Sequence, residues 1–277
     1  MYEKVIDSLV ELIRKDEQFI DYASYPLRGK EAKAVILLKE ENIVISGIDI
    51  VRGVLSKLGI KHEFYYKDGQ IAQKGIIGMI EGDAYNLLIS ERSILNTLSF
   101  MSAIATKVRK LVEVIEKSGK NVKIAATRKT IPFTSEMQKI AIMHGGGDTH
   151  RLNLSDCAMI KDNHLKLYGS VRKAVEEVKK VISFSKKIEV EVEDEESSFE
   201  ACEVGADIVM LDNFPPQKAC EVARKIKEKF PHVLIELSGG VNPEKLSEYL
   251  CEYVDVISIG KLTSEVKYVD FSMEIED

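Results

Sequence analysis

The amino-acid sequence predicts an α/β protein whose second half forms a shortened parallel α/β barrel. Short apolar runs alternate there with helical patterns, an order that gives parallel strands. The runs lie at 123–127, 158–163, 187–192, 208–213, 234–240 and 256–261. The second half has about 150 residues, whereas a full eight-stranded barrel needs ~250, so we expect six or seven strands. An open doubly wound sheet is the alternative, but no GxGxxG motif follows any of these runs.

The first half has a mixed pattern that predicts a separate α/β domain over residues 1–110. An amphipathic helix with Val5, Leu9 and Leu12 on one face opens the chain, and strand-like runs follow at 32–38, 41–48 and 74–82, the last leading into 85–90. A long apolar helix over 91–117 is expected to bridge the two halves. The barrel domain is then expected over 111–265, with the tail 266–277 as a candidate addition to the first domain.

Composition excludes several classes of protein. The chain has 277 residues, 45% of them hydrophobic, and a net charge of −6. An acidic surface disfavours nucleic-acid partners, and no run has the roughly 20 apolar residues that a membrane span requires. Charges throughout the first residues argue against a secretory signal. The four scattered cysteines form no CxxC pair and predict free thiols in a reducing cytoplasm. A cytoplasmic enzyme is therefore expected.

Polar residues cluster at the carboxyl ends of the predicted strands, where barrels and open α/β sheets place their active sites. Five cationic residues lie within a short stretch of this acidic chain and predict a pocket for a multiply anionic ligand, since arginine binds carboxylate and phosphate in a bidentate manner. They are Arg128, Lys129, His150, Arg151 and Lys161.

Two further patterns complete the predicted site. Apolar residues and glutamates alternate strictly in the run 188–193, so the valines should face the helices. Glu189, Glu191 and Glu193 should then face the barrel interior, where buried carboxylates require cations or a metal. A solvated edge strand is the alternative. Ser238, Gly239 and Gly240 follow a strand and precede a helix-like segment, and with Gly260 they predict a phosphate-binding site.

At these residues the sequence resembles the quinolinate phosphoribosyltransferases, the carboxylating nicotinate-nucleotide pyrophosphorylases of NAD biosynthesis. The similarity covers essentially the whole chain, and its motifs occur in the family's order. They are ERSILNTLSFMSAIAT, ATRKT, HGGGDTHRLNLSD, MIKDNH, EVEVE, ADIVMLDN, ELSGGV and VISIGKLT. The resemblance implies an N-terminal α/β sandwich followed by a shortened barrel.

The resemblance also implies roles for individual residues. Quinolinate would be held by Arg128, His150, Arg151 and Lys161, together with Arg92 from the neighbouring subunit of a homodimer, which could assemble further into a hexamer. The 5-phosphoribosyl 1-pyrophosphate would contact Lys129, Glu191, Asp212, Ser238, Gly239, Gly240 and Gly260. Lys129, Lys161, Glu191 and Asp212 would be catalytic, and Mg²⁺ would lie near Glu191 and Asp212, held mainly through substrate and water.

The chain departs from the family's usual motifs at a few positions. Ala126 replaces a common aspartate, Phe133 lies in a loop that is usually TPGL, and Lys261 replaces a common alanine. None removes a charged ligand, although Phe133 and Lys261 alter the loop and the phosphate site. A sibling subfamily associated with molybdate-transport operons, acting on another aromatic acid, is the alternative. Lys161 favours the quinolinate enzymes.

Overall fold

A computed structural model describes residues 2–276, which form ten α-helices and twelve strands. The helices are α1 (Tyr2–Glu17), α2 (Ile48–Lys57), α3 (Ala84–Ser118), α4 (Ser135–His144), α5 (Asp162–Tyr168), α6 (Val171–Lys179), α7 (Glu195–Glu203), α8 (Pro216–Lys229), α9 (Leu246–Tyr249) and α10 (Lys261–Ser264). The strands are β1 (Glu31–Leu38), β2 (Ile43–Val44), β3 (Lys61–Phe64), β4 (Ile71–Ala72), β5 (Gly75–Asp83), β6 (Lys123–Ala125), β7 (Cys157–Ile160), β8 (Lys187–Val192), β9 (Ile208–Asp212), β10 (Leu234–Ser238), β11 (Val256–Ser258) and β12 (Phe271–Ile275).

The first of two compact units is built on an antiparallel sheet in the order β12-β1-β5-β3. The last strand of the chain pairs with the first, with Ile36 opposite Met273. Apolar residues of β1, among them Ala34, Ile36 and Leu38, are buried. Helices α1 and α2 pack against each other through buried apolar faces. The unit therefore has its own hydrophobic core.

Local structure in this unit differs from the sequence expectation at two runs. Residues 85–90 begin helix α3 rather than a strand, because their apolar side chains continue the helical face of the residues that follow. Of the run 41–48, only Ile43 and Val44 form a strand. The left-handed Gly47, at φ +104°, turns the chain into α2 directly afterwards.

The division into units also differs from the boundaries expected near residues 110 and 265. The first unit holds residues 2–109, 130–146 and 263–276 of the described chain, so α4 belongs to it rather than to the barrel. Polar contacts made by α4 account for this grouping. Tyr2 Oη lies 3.1 Å from His144 Nε2, and Gln138 Nε2 donates to Thr263 O at 3.1 Å.

The second unit contains a parallel sheet in the order β6-β11-β10-β9-β8-β7. One cavity is lined by residues on or directly after each of these six strands, including both edge strands. A sheet whose two edges border the same cavity must be curved, so the predicted shortened barrel is confirmed with six strands, and the open doubly wound alternative is not formed. Asp148 adds a single parallel bridge to Ala125 at the free edge of β6.

The barrel wall separates apolar from polar side chains as the alternating run predicts. In β8, Ile188, Val190 and Val192 are buried, and helices α6, α7 and α8 each present a buried apolar face on the same unit. Glu189 and Glu191 lie on the opposite, interior face, whereas Glu193 follows the strand and is exposed. Among the described residues, no helix combines the length and apolar character needed to cross a membrane.

The expectation of four free thiols is wrong for two of the cysteines. Cys220 on α8 and Cys251 after α9 form a disulfide, with their Cα atoms 5.8 Å apart, whereas Cys157 and Cys202 are free. The pairing was not evident from spacing, because it depends on the contact between α8 and α9. The disulfide closes a loop that contains β10 and the glycines that follow it.

Loss of this disulfide should destabilise the protein. The crosslink spans 31 residues, for which restriction of the unfolded chain predicts about 3–4 kcal/mol of stability. We expect the free energy of unfolding of Cys220→Ser, measured by denaturant titration, to fall by that order. Reductant should lower the stability of the wild type but not that of the variant. Equal sensitivity of the two proteins to reductant would show that the crosslink does not contribute.

Candidate active site

A cavity of about 340 Å³ opens at the carboxyl ends of the barrel strands. Every strand of the barrel contributes to its wall, so side chains distant in sequence meet there. Its lining consists of Ala126, Thr127, Arg128, Lys129, His150, Arg151, Met159, Lys161, Glu191, Met210, Asp212, Glu236, Ser238 and Ser258. The structure thus brings together most of the residues that the strand-end pattern predicts.

The cationic side chains of the cavity come from the region where the barrel is incomplete. Arg128 and Lys129 follow edge strand β6, Lys161 follows the other edge strand β7, and Arg151 lies on the segment between α4 and β7. Because β6 and β7 do not pair with each other, their ends leave a gap that this segment borders. The predicted basic cluster is therefore assembled at one side of the cavity.

The segment that carries Arg151 is fastened to the edge of β6 by backbone hydrogen bonds. Asp148 N donates to Ile124 O at 2.7 Å, and Ala126 N donates to Asp148 O at 3.0 Å. His150 then adopts a left-handed conformation at φ +53°, which costs a non-glycine residue roughly 1–2 kcal/mol. Its own N–H donates to the Asp148 carboxylate at 2.8 Å. This turn directs the His150 side chain into the barrel.

Both ring nitrogens of His150 are engaged by the protein. Nδ1 accepts a hydrogen bond from Arg151 N at 2.7 Å. Nε2 lies 3.0 Å from Glu236 Oε2 and 3.5 Å from Glu189 Oε2. Because Nδ1 is an acceptor, the ring carries its proton on Nε2, between the two carboxylates.

The two carboxylates are almost completely removed from water. Glu189 and Glu236 are 0% and 2% exposed, and one oxygen of each, Oε1, has no hydrogen-bond partner. Burial raises the pKa of Glu189. Burial alone would lower the pKa of His150, but the hydrogen bonds and charges of Glu189 and Glu236 raise it to about 10. A pKa this high would place a second proton on Nδ1 at neutral pH, but Nδ1 already accepts the Arg151 N–H at 2.7 Å, so we take the ring as neutral with its proton on Nε2.

Among residues 2–276, these three form the one group of three or more His, Cys, Asp or Glu side chains whose ligand atoms lie within 4.8 Å of one another. A metal would need an unprotonated Nε2, whereas the Arg151 N–H on Nδ1 leaves the proton on Nε2. We therefore interpret the trio as a hydrogen-bonded cluster.

Two carboxylates line the cavity beside the basic cluster. Glu191 at the end of β8 forms an ion pair with Lys161. Asp212 ends β9, and burial together with the charge of Glu191 raises its pKa. A cation placed between these two carboxylates would offset both the burial of Asp212 and its repulsion by the charge of Glu191. Carboxylate oxygens are the ligands that Mg²⁺ prefers, so the residues present fit such an ion.

The small residues predicted to bind phosphate lie at the ends of β10 and β11, where Ser238 and Ser258 line the cavity and Gly239, Gly240 and Gly260 are not among its lining residues. Gly239 and Gly240 have φ of +78° and +61°, and a side chain on Gly239 would lie 2.5 Å from Asn213 N and 2.6 Å from Asp212 Oδ1. Ser258 Oγ donates to Ser238 Oγ at 2.9 Å. On Gly260, an added Cβ would lie 2.9 Å from Lys129 Cδ. Gly240 is exposed, whereas Gly239 and Gly260 are half-buried against these neighbours.

The structure departs from the sequence prediction at the helix expected after Ser238–Gly240. That segment forms only a 3₁₀ turn at Pro243–Lys245 and one turn of α9, although Asn242 caps it and Pro243 stands at its first position, where proline is tolerated. Its dipole is correspondingly small. Arg92 lies on α3 with a side chain 70% exposed and is not among the cavity's lining residues. Phe133 has a fully exposed side chain and φ of +67°.

Sequence reasoning missed the function of some residues in the site. Glu236 lies within an apolar strand, and its pairing with His150 has no signal in the sequence. Asn213, left-handed at φ +58°, donates through Nδ2 to Asp212 Oδ2 at 2.6 Å. Its adjacency to Asp212 could have indicated this role.

Known proteins match the chain along its length. Residues 21–102 match the family model "Quinolinate phosphoribosyl transferase, N-terminal domain", and residues 104–274 match the model of the C-terminal domain. The chain belongs to the quinolinate phosphoribosyltransferase family. The matching segments include every lining residue of the cavity.

Individual members of the family are similar in sequence and in fold. A probable nicotinate-nucleotide pyrophosphorylase [carboxylating] of Methanocaldococcus jannaschii is 45% identical and covers 89% of this chain and 88% of its own length. The human nicotinate-nucleotide pyrophosphorylase [carboxylating] is 32% identical over 95% of this chain and 89% of its own. The structure of the Francisella tularensis nicotinate-nucleotide pyrophosphorylase superposes with a TM-score of 0.91 at 30% identity, covering 100% and 97% of the two chains.

Substitution of the glycines after β10 should separate backbone strain from steric conflict. Gly240→Ala meets only Asn213 Oδ1 at 3.7 Å, so we expect a cost of roughly 1–2 kcal/mol from its left-handed backbone. Gly239→Ala adds the clash with Asp212 and Asn213, for a further ~1–3 kcal/mol. Denaturant unfolding of the two variants measures the difference. Equal losses would contradict the tight packing around Gly239.

Proposed function

We propose that this protein transfers the phosphoribosyl group of 5-phosphoribosyl 1-pyrophosphate to quinolinate, releasing nicotinate mononucleotide, pyrophosphate and CO₂. Its family membership supports the reaction. The single structural observation that carries the proposal is the cavity at the carboxyl ends of the strands, whose lining combines a basic cluster, the carboxylates of Glu191 and Asp212, and the hydroxyls of Ser238 and Ser258. These three regions match a dicarboxylate, a ribose that gains positive charge, and a phosphate.

Quinolinate is proposed to bind at the basic side of the cavity. Arg128 and Arg151 supply guanidinium groups for the two adjacent carboxylates, and Lys161 adds an ammonium group, since a dianion in a partly buried site requires paired charges. His150 lines the same wall. Lys129, between this side and Gly260, is proposed to contact both substrates.

The phosphoribosyl substrate is proposed to lie along the two carboxylates and the small residues at the ends of β10 and β11. Ser238, Gly239, Gly240 and Gly260 would bind its 5-phosphate through backbone N–H groups and the serine hydroxyl. Glu191 and Asp212 would hold the ribose and a Mg²⁺ ion. When bound, the ion would neutralise charge on the pyrophosphate leaving group.

The proposed chemistry is a displacement at C1 of the ribose. The bond from C1 to the pyrophosphate oxygen breaks, positive charge develops on the sugar, and the pyridine nitrogen supplies the electron pair of the new bond. The carboxylate of Glu191 stabilises this charge, as anions do in glycosidic cleavage. The C2 carboxylate then leaves as CO₂. The adjacent cationic nitrogen stabilises the electron pair left on C2, and a proton replaces the lost group.

Turnover with quinolinate tests the proposal directly. We expect the purified protein with Mg²⁺ to release labelled CO₂ from quinolinate labelled in its 2-carboxyl group, and to form nicotinate mononucleotide only when the phosphoribosyl donor is present. The alternative is a phosphoribosyltransferase of the molybdate-operon subfamily. Transfer to another aromatic acid without turnover of quinolinate would favour it.

Removal of the charge of Glu191 should slow the reaction without weakening quinolinate binding. Glu191→Gln keeps the size of the side chain, and we expect kcat to fall by about 10²–10³, as for loss of one preorganised electrostatic contact. Quinolinate affinity should not fall, because the variant releases Lys161 from its ion pair. Steady-state kinetics and calorimetry measure the two quantities.

The matched control is Glu193→Gln on the same segment. Glu193 is exposed beyond the end of β8, and its substitution should leave kcat near the wild-type value. A wild-type kcat for Glu191→Gln at saturating Mg²⁺ would make Glu191 structural. A Glu193→Gln defect equal to that of Glu191→Gln would also contradict the assignment.

A homodimer with shared sites is proposed, since Arg92 carries an exposed guanidinium outside the lining of its own chain's cavity. The resemblance to the family supports Arg92 as a quinolinate ligand in the neighbouring subunit. Both substrates are multiply anionic and do not cross membranes unaided, so we place the activity in the cytoplasm.

Mixed subunits test this arrangement. Arg92→Ala and Lys161→Ala homodimers should each be nearly inactive, because every site lacks one quinolinate contact. In a mixed dimer, one site combines the intact Lys161 of one chain with the intact Arg92 of the other, so activity should return. Subunit exchange is followed with a tagged chain. Exchange without recovered activity would place Arg92 in the site of its own chain.

A further inference from the structure

Two buried carboxylates beneath the active-site cavity have no part in the proposed reaction. Glu236 lies on β10 and Glu189 on β8, and both approach Nε2 of His150. A second cavity, at the opposite mouth of the barrel, is also lined by His150, Arg151 and Glu236. These residues therefore form the partition between the two cavities.

His150 is poorly placed to bind a substrate carboxylate itself. Arg151 N occupies Nδ1 at 2.7 Å, and Nε2 lies 3.0 Å from Glu236 Oε2. A carboxylate ligand would have to displace one of these partners, and displacement of His150 from Glu236 would leave a buried carboxylate unpaired. The ring is thus already bound on both sides by protein.

The hydrogen bonds form a chain from the barrel wall to the basic cluster. Glu236 holds the His150 ring, and the ring accepts from the backbone N–H of Arg151. The backbone at His150 is left-handed and unfavourable, so it depends on such contacts to stay in place. Arg151, next along the chain, has its guanidinium Nη2 3.2 Å from Met159 Sδ at the cavity wall.

We propose that Glu236, assisted by Glu189, is a positioning residue that acts through His150 to fix the backbone of Arg151 for binding of the dicarboxylate substrate. His150 then supports the backbone of Arg151 and does not bind the substrate directly. The inference rests on the proposed function. Glu236 and Glu189 are thereby added to the site, and the role of His150 changes.

Variants of Glu236 test the proposal because they should weaken the binding of quinolinate and leave the binding of the phosphoribosyl donor unchanged. Glu236→Ala removes the acceptor, and we expect the quinolinate Kd to rise about tenfold to hundredfold, because a displacement of roughly 1 Å can cost that much. The KM for the phosphoribosyl donor should stay within about twofold, the usual scatter for independent sites. Glu236→Gln, whose amide oxygen still accepts from Nε2–H, should restore most of the quinolinate affinity.

A matched control separates positioning from loss of stability. Asp255 accepts from Ile235 N at 2.7 Å and pairs with Lys227 at 2.8 Å in the same unit, but it does not touch His150. Asp255→Ala should lower the melting temperature and leave the quinolinate Kd unchanged. An Asp255→Ala defect in quinolinate binding as large as that of Glu236→Ala would overturn the proposal.

The double variant tests whether Glu236 acts through the His150 ring. If Glu236 acts only through the ring, Glu236→Ala combined with His150→Ala should bind quinolinate no more weakly than His150→Ala alone. Additive losses would show that Glu236 acts independently of the ring and would overturn the inference. Unchanged quinolinate affinity in folded Glu236→Ala would overturn it as well.

A measurement on the wild type keeps the test valid if alanine variants do not fold. The chain has five histidines, so ¹⁵N spectra of the imidazole rings can be assigned by single substitutions. We expect His150 to show a protonated Nε2 and an unprotonated, hydrogen-bonded Nδ1 at neutral pH. A proton on Nδ1 would contradict the chain of contacts. Failure of the wild type to bind quinolinate would instead refute the proposed function.

Discussion

The incomplete closure of the six-stranded barrel is the constraint on which the rest of the site depends. Strands β6 and β7 are both edges of the curved sheet, and exposed edges must be covered or paired. The chain covers the edge of β6 with the segment around Asp148, which pairs with Ala125. The same segment carries His150 and Arg151, so covering the edge also delivers cationic and polar groups to the cavity.

This arrangement separates charges around the barrel. Cations come from the unclosed side, carboxylates end β8 and β9, and small residues follow β10 and β11. An ion pair between Lys161 and Glu191 joins the first two regions. The residues of each region are held at or directly after strand ends, a placement that suits a reaction depending on preorganised charge. The proposed order of substrates around the cavity follows from this separation.

Sequence patterns predicted the barrel and most of the cavity's lining residues, because parallel strands and their carboxyl ends have strong local signals. The alternation of Glu189 and Glu191 with valines correctly gave the inner face of β8. The patterns did not predict contacts that depend on tertiary packing. Glu236 has no local mark that separates it from a surface glutamate, and the pairing of Cys220 with Cys251 requires α8 and α9 to be adjacent.

The secondary structure expected from the sequence was wrong in two segments, for local physical reasons. The run 85–90 has the short apolar character of a strand, but it continues the periodicity of α3, and helix length outweighed the local pattern. The segment after Gly240 has helical residues and a favourable start at Asn242 and Pro243, but its apolar face is short and it forms only single turns. The proposed phosphate site therefore depends on the backbone of Gly239 and Gly240 more than on a helix dipole.

The most direct test of the account compares ligands with two carboxylates and one. Calorimetry should show that the wild type binds quinolinate at least about tenfold more tightly than nicotinate, since a hydrogen bond to a charged group contributes about 1.5–3 kcal/mol. Arg151→Ala should lose most of this preference while it keeps its fold. Equal affinities of the wild type for the two ligands, or an unchanged preference in the variant, would contradict the basic cluster as the dicarboxylate site.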